Sequence, residues 1–265
     1  EKKIPELVSP WRKPEEYDII RAAVYRFHSL MTKDFRKDNC FLIGDAAHQS
    51  PPFMGQGMMS GYRDSLNLSW KLISVLKNSF PSALLDSFEE ERKPHSRFVV
   101  DGSAAIGKLM SAYADAVERN QPSDVPQELI DRGYGSFALP PLQNGILFRG
   151  KSDNTSMAGS IFPQPLRMEG MECHERLDAL LGKGFCIVSK KEIDLNSEQK
   201  EFYEKINSKF LVLEESILNS SPWVKEIMKK NDVYILRPDR HIFGSTSDKI
   251  TFDDLTEDLK ERLNF

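Results

Sequence analysis

The stretch "CFLIGDAAHQSPPFMGQGM", residues 40–58, constrains this chain more than any other part of it. Its first five residues are a short apolar run, bounded by the polar "KDN" before it and by Gly44 and Asp45 at its end, which is the pattern of a strand buried on both sides. A strand that ends this way puts a carboxylate at the carboxyl edge of a sheet. Ligands of open α/β sheets bind there, and an acid in that place can accept hydrogen bonds from a sugar or ribityl hydroxyl. Gly44 would let the ligand come close. The loop that follows carries Gly55 and Gly57 just ahead of a long helical pattern, so backbone amides and the positive helix end face whatever lies above the strand. Spacing alone leaves two readings open: a loop that favours an anionic group, or a helix cap with glycines for tight packing.

The helical pattern consists of Met58, Met59, Tyr62, Leu66, Trp70, Ile73 and Leu76, and it predicts a long amphipathic helix to about residue 78. A second helix is expected from about residue 82, interrupted at "ERKPH" because Pro94 has no amide proton to give, and resuming to about residue 119. Upstream, residues 21–30, "RAAVYRFHSL", approach strand alternation and read as a sheet strand with one mixed face. Residues 120–160 carry four prolines and little periodicity, the mark of a linker or extended arm. Beyond them "GFCIVS", "FLVL", "DVYILRP" and "RHIFG" read as short strands. Helices are expected from about Ser197, from Pro222 with Ser221 as N-cap, and over residues 252–264, with Pro238 and Asp239 turning a hairpin. The resulting order, β-α-β-α-β-β-α, is a thioredoxin-like arrangement. The boundaries that follow are 1–35 for the end of a sheet region, 36–119 for the strand, loop and helices, 120–158 for the arm, and 159–265 for the last α/β domain.

Composition excludes several partners. With 29% charged residues and a net charge of −4 the chain carries no nucleic-acid footprint. Its apolar runs fall short of the roughly 20 residues a membrane span needs. Three cysteines, Cys40, Cys173 and Cys186, without Cys-x-x-Cys spacing, indicate neither a disulfide framework nor a zinc site, and a reducing cytoplasm fits best. Cys186 stands alone inside a predicted strand, so thioredoxin-type disulfide exchange is not expected. The start at Glu1 in a proline-spaced polar stretch reads as a processed chain or a fragment.

The full string "GDAAHQSPPFMGQGMMSGYRDSLNLSWKL" closely resembles the GDAAH signature of the single-component FAD-dependent aromatic hydroxylases. The likeness extends upstream through "YRFHSLMTKDFRKDNCFLIGDAAH" and downstream through "FEEERKPHSRFVV". "AGSIFPQP", "LDALLGKGF" and "ILRPDRHIFG" are similar to the C-terminal thioredoxin-like extension of the phenol hydroxylase and 3-(3-hydroxyphenyl)propionate hydroxylase branch. The resemblance implies the C-terminal part of an FAD-binding α/β domain followed by a thioredoxin-like α/β domain. It implies that Asp45 binds the ribityl chain of FAD, with Gly44 allowing the approach, and that Pro52 lies beside the isoalloxazine ring. Gly55 would belong to the cofactor-binding loop, and the amides around Gly57, Met58 and Met59 would face the flavin pyrimidine edge, where a helix end stabilises the negative charge of reduced flavin. Relatives often carry Asn where Met59 stands, so a side-chain hydrogen bond is missing here while the amide remains. The reaction so implied is hydroxylation of a small phenolic substrate with NAD(P)H and O2.

The family's opening Gly-x-Gly-x-x-Gly strand and helix, which hold the ADP part of FAD, do not occur in this sequence, and no Asp-Gly motif stands ahead of the GDAAH string. The expectation is therefore a C-terminal fragment of a hydroxylase, inactive alone. The competing class is a stand-alone assembly module whose thioredoxin-like domain mediates association, with a homodimer as the candidate assembly. A different GDAAH flavoprotein is a weaker third reading. Among single residues, His28 is a candidate for the substrate cavity, with strand packing as the alternative. His48 reads as structural, Arg63 and Asp64 as a local ion pair or cap, His95 as a helix-start residue, and "EEER", residues 89–92, as a solvated helix face.

Overall fold

The computed structural model describes residues 3–78, 80–119, 127, 139–150, 157–164 and 177–265. A short helix, α1 (Ile4–Val8), leads into coil. The strand expected over residues 21–30 is not formed. Only its last residue joins β1 (Leu30–Met31), which pairs antiparallel with β4 (His48–Gln49). A strand needs a partner for its backbone and cover for alternate side chains, and the described residues supply neither, so Ile20 and Val24 are 99% and 102% exposed. Between β1 and β4, β2 (Arg36–Lys37) and β3 (Cys40–Phe41) form a hairpin, with Asp38 in the left-handed region at φ 53°. The expectation of a doubly buried strand over residues 40–44 is corrected here too: β3 ends at Phe41, and Leu42 and Ile43 are each 38% exposed. Phe35, packed on Ala47, Leu68 and Phe88, provides the core of this region instead.

Two long helices follow, α2 (Gly57–Asn78) and α3 (Ser87–Glu118), with a 3-10 turn, Ser82–Asp86, ahead of the second. Helix α3 runs through Pro94 without the expected interruption. A proline in a helix interior costs about 3 kcal/mol. Buried contacts on both sides of Pro94, from Phe88, Glu91 and Arg92 before it and from His95, Ser96, Val99 and Val100 after it, outweigh that cost.

The face that α2 presents to α3 is polar. Ser60, Asp64, Asn67, Lys71 and Ser74 recur at spacings of four and three, one helix face, and all are buried. The apolar stripe read from periodicity lies on the outside, with Met58, Tyr62, Leu66, Ile73 and Leu76 between 52% and 79% exposed and only Trp70 buried. Burying polar groups is tolerated here because each finds a partner. Ser60 Oγ meets Ser96 Oγ at 3.3 Å, Asp64 accepts from Arg92, Asn67 and Lys71 reach Glu91, and Ser74 Oγ donates to the Trp70 carbonyl.

The last region follows its local signals closely. After α4 (Leu177–Leu181) come β5 (Cys186–Ser189), α5 (Ser197–Lys205), β6 (Lys209–Val212), α6 (Glu215–Ser220), α7 (Pro222–Lys230), β7 (Val233–Leu236), β8 (Ile242–Ser245) and α8 (Phe252–Leu263). The sheet order is β6-β5-β7-β8, with β5 parallel to β6 and the other pairs antiparallel. Side chains of Asn196, Ser221 and Thr251 cap α5, α7 and α8, and each cap is worth about 1 kcal/mol. Strand alternation divides two cores. Ile187, Ile235 and Phe243 face Phe202, Leu255 and Leu259 together with Trp70 of α2, while Cys186, Val188 and Leu236 face Val224 and Met228. Trp70 therefore belongs to the core of the C-terminal sheet, which joins the long helices to it.

Of the expected arm, residues 139–150 and 157–160 fall within the described structure, and they are packed: the Phe148 amide donates to the Phe243 carbonyl at 2.9 Å, and the Gly159 amide to that of Ile242 at 2.8 Å. Apart from residue 127, the remainder of the arm lies outside the described residues, as does Cys173.

Candidate cofactor site

Gly44 opens a 3-10 turn, Gly44–Ala46, at φ 55°, a conformation that costs a residue with a side chain about 1 kcal/mol or more. It also sits against the second turn of α2, because a Cβ built on Gly61 would lie 3.3 Å from the Cα of Gly44. Two glycines let turn and helix touch backbone to backbone. This contact, rather than ligand approach alone, explains a glycine at position 44. Asp45, next along the turn, projects an exposed carboxylate. After β4, the turn Pro52–Met54 is closed by Gly55 at φ 63°, and Gly57 starts α2. The first intrahelical bond runs from the Ser60 amide to the Gln56 carbonyl, so the amides of Gly57, Met58 and Met59 have no carbonyl one turn back to accept them. Met58 and Met59 are 70% and 41% exposed. The predicted residues Gly44, Asp45, Pro52, Gly55, Gly57, Met58 and Met59 thus lie on two turns and a helix start that meet at one end of α2. An exposed acid, free amide donors and a positive helix end form a cradle suited to a polyhydroxyl chain with an anionic or electron-rich group at its end.

His28 lies apart. It is exposed on coil. Its neighbour Phe27 packs edge-on against Phe53, with ring centroids 5.7 Å apart, and Phe27, Ser29, Pro51 and Phe53 line a groove of about 550 Å³ against α3 that His28 does not line. Another groove, of about 880 Å³, is lined by charges of both signs, including Arg36, Glu89 and Lys93, and by none of the predicted cofactor residues.

Beneath the turns, the residues read as a local pair and as a solvated face form two buried networks. In the first, Asp64 Oδ2 accepts from the Gly44 amide at 2.9 Å and from His48 Nε2 at 2.7 Å, and Asp64 Oδ1 accepts from Arg92 Nε at 2.8 Å. Arg63 instead donates to Gln56 Oε1, so no Arg63–Asp64 pair forms. Burial pushes the Asp64 carboxyl up, but His48, Arg92 and the Gly44 amide outweigh it and hold the group below the usual carboxylate range. An ionised Asp64 only accepts, so the proton between it and His48 resides on Nε2. His48 is buried on β4 rather than in a loop, and His95 is a buried mid-helix residue rather than a helix start. Burial, then the adjacent Arg92, lowers His95 to about 3, so it is neutral at pH 7.

In the second network, Glu91 accepts five hydrogen bonds. Oε1 takes the Ile146 amide and Arg237 Nη1; Oε2 takes Asn67 Nδ2, Lys71 Nζ and Arg237 Nη2. Asp239 accepts from Arg237 Nε and Nη2 and from Asn67. Burial raises the Glu91 carboxyl, yet Arg237 and Lys71 bring it down to about 2, and burial lowers Lys71 to about 8 against the pull of Glu91. Only Glu90 of "EEER" is an exposed helix-face residue, because Glu89 accepts from the Phe35 and Arg36 amides while Glu91 and Arg92 are buried. The signal that could have found both networks was the polar period 60-64-67-71-74, which fits a helix as well as the apolar one does. At the other sheet face, burial pushes the Cys186 thiol up to about 12, the direction opposite to that of a reactive cysteine. Among the described residues no helix is long and apolar enough to cross a membrane.

Residues 5–103 match the FAD binding domain family. The chain is 37% identical over 186 residues to a 3-(3-hydroxy-phenyl)propionate/3-hydroxycinnamic acid hydroxylase of Mycolicibacterium vanbaalenii, a match covering 66% of this chain and 32% of that protein. It is 31% identical over 183 residues to a probable NADH-specific resorcinol 4-hydroxylase of Rhodococcus jostii, covering 69% of this chain and 33% of the relative. Among solved structures, a ternary complex of aklavinone-11 hydroxylase with FAD and aklavinone superposes with a TM-score of 0.62 at 21% identity, covering 89% of this chain and 45% of that one. The chain thus spans about a third of the length of the curated relatives it matches.

Proposed function

Because this chain belongs to the FAD-dependent aromatic hydroxylases, we propose that it supplies one wall of a flavin site in a longer NAD(P)H-dependent monooxygenase that hydroxylates a small phenol. The observation that carries this reading is the Gly44–Ala46 turn held against the helix start, with the free amides of Gly57, Met58 and Met59 beside an exposed Asp45. FAD, once reduced by NAD(P)H, would supply the chemistry by which one oxygen of O2 reaches the aromatic ring. This chain's residues bind and orient it. Asp45 accepts hydrogen bonds from ribityl hydroxyls, Pro52 borders the ring, and the amides at the helix start oppose negative charge on it. Met59 contributes its amide and no side-chain hydrogen bond.

Incompleteness of the site is part of the proposal. Leu42, Ile43 and the outer stripe of α2 are apolar side chains that the described residues leave exposed, as expected if a further part of the protein covers them. Alone, the chain is then inactive. The sheet order β6-β5-β7-β8 with its alternating helices supports a thioredoxin-like unit, and the buried, lone Cys186 supports a structural role for it, with subunit contact as its use and the cytoplasm as its location.

Titration with FAD tests the reading. The chain alone should retain no flavin after dialysis, whereas the full-length protein should bind one per chain. Asp45→Ala in the full-length protein should weaken binding ten- to a hundredfold, the worth of a charged hydrogen bond of about 1.5–3 kcal/mol. Tight binding by the chain alone would refute the incomplete site, and unchanged binding by D45A would remove Asp45 from it.

A further inference from the structure

We propose that Asp64 is a positioning residue for the cofactor-facing turn, an inference that rests on the flavin reading above. Its three hydrogen bonds come from three separate elements: the Gly44 amide, His48 on β4, and Arg92 on α3. The first two bracket residues 44–48, the segment that carries Asp45. One fully buried carboxylate therefore holds both ends of the turn, while Asp45 itself stays exposed for a ligand. Arg92 serves the opposite side of Asp64 and keeps it an acceptor. His48 is fixed further by Phe35, whose ring lies stacked 6.0 Å away.

A general brace between α2 and α3 would be a different role, and the same stripe contains one. Lys71, seven residues along, bonds Asn67 and Glu91 and touches nothing in the turn. It is the internal control. Asn at position 64 keeps the shape but offers one amide nitrogen, so whichever way it turns, a donor from Gly44, His48 or Arg92 meets another donor.

Hydrogen exchange of this chain, read over residues 41–50, should be at least tenfold faster in Asp64→Asn than in the wild type. Lys71→Met should lose overall stability yet leave the exchange of that segment at the wild-type rate relative to the rest of the chain. In the full-length protein D64N should weaken FAD about tenfold and alter the visible circular dichroism of the bound flavin, whereas K71M should alter neither. His48→Gln keeps the Gly44 and Arg92 bonds and should loosen residues 47–49 alone, which preserves the test if D64N does not fold. Wild-type exchange over residues 41–50 in D64N, or in H48Q if only that variant folds, overturns the proposal, and so does equal loosening by K71M. A wild-type full-length protein that binds no FAD overturns the flavin reading instead, and the exchange comparison still decides what Asp64 does to the turn.

Discussion

Replacing Glu91 with Gln should be among the most damaging single-atom changes in this chain. Glu91 is buried with five donors around it, and the four charges Glu91, Asp239, Lys71 and Arg237 sum to zero. Gln leaves two buried cations against Asp239 alone and turns an NH2 group toward donors. The site's preference for the carboxylate over the neutral acid follows from its pKa of about 2 against an ordinary 4.5. At about 1.4 kcal/mol per unit this is on the order of 3 kcal/mol, at the lower edge of the roughly 3–5 kcal/mol lost when one member of a buried pair is removed. The loss is a large share of the roughly 5–15 kcal/mol that stabilises a typical protein. Urea unfolding followed by tryptophan fluorescence reads it well: Trp70 is buried against Lys71 and Arg237, while Trp11 and Trp223 are 78% and 76% exposed and change little. Lys71→Met in the E91Q background returns the cluster to neutrality, so the double variant should recover about 1–3 kcal/mol relative to additivity. A loss below about 1 kcal/mol in E91Q, or strict additivity with K71M, would refute the argument that charge balance holds α2, α3 and the C-terminal sheet together.

Acid should unfold the protein in two stages. The His95 pKa is lowered to about 3, so from about pH 6.5 downward the unfolded chain takes up a proton that the folded one refuses, and stability falls; Glu91, lowered to about 2, adds a second loss below about 4.5. A pH series of urea midpoints should show His95→Gln lacking the upper stage only. Lys71 gives the same sign of slope in an alkaline window: with its pKa lowered to about 8, stability should rise between pH 8 and about 10.5, and K71M should lack that rise. On the outer face of α2, Leu66→Glu with Leu76→Glu should lower binding of a hydrophobic dye and self-association of this chain while shifting the urea midpoint little, because Leu66 and Leu76 are already 59% and 79% exposed. A large loss of stability in that variant would show the stripe to be core.

What was legible in the sequence depended on how local its cause is. The strands and helices from residue 186 onward were readable because Asn196, Ser221 and Thr251 cap their own helices and strand alternation reports a sheet covered on both faces. The helix start at Gly57 was readable because the glycines ahead of it, with Gly55 at a positive φ, meet a local requirement, whereas the turn at Gly44 was read as the end of a strand. Residues 21–30 were misread because pairing, not propensity, makes a strand. The burial of α2 was misread for a related reason. Periodicity says which side chains share a face but not which neighbour covers it, and a polar face becomes interior only when a distant segment brings matching charges. Here that segment is "EEER", whose two adjacent members part company: Glu91 reaches Arg237 across the C-terminal sheet, and Arg92 reaches Asp64 beneath the Gly44–Ala46 turn. Neighbouring residues on α3 thus fasten two distant parts of the fold. The two networks share no side chain, so weakening the Glu91 cluster should cost stability without releasing the turn that carries Asp45, whose hold is Asp64 alone.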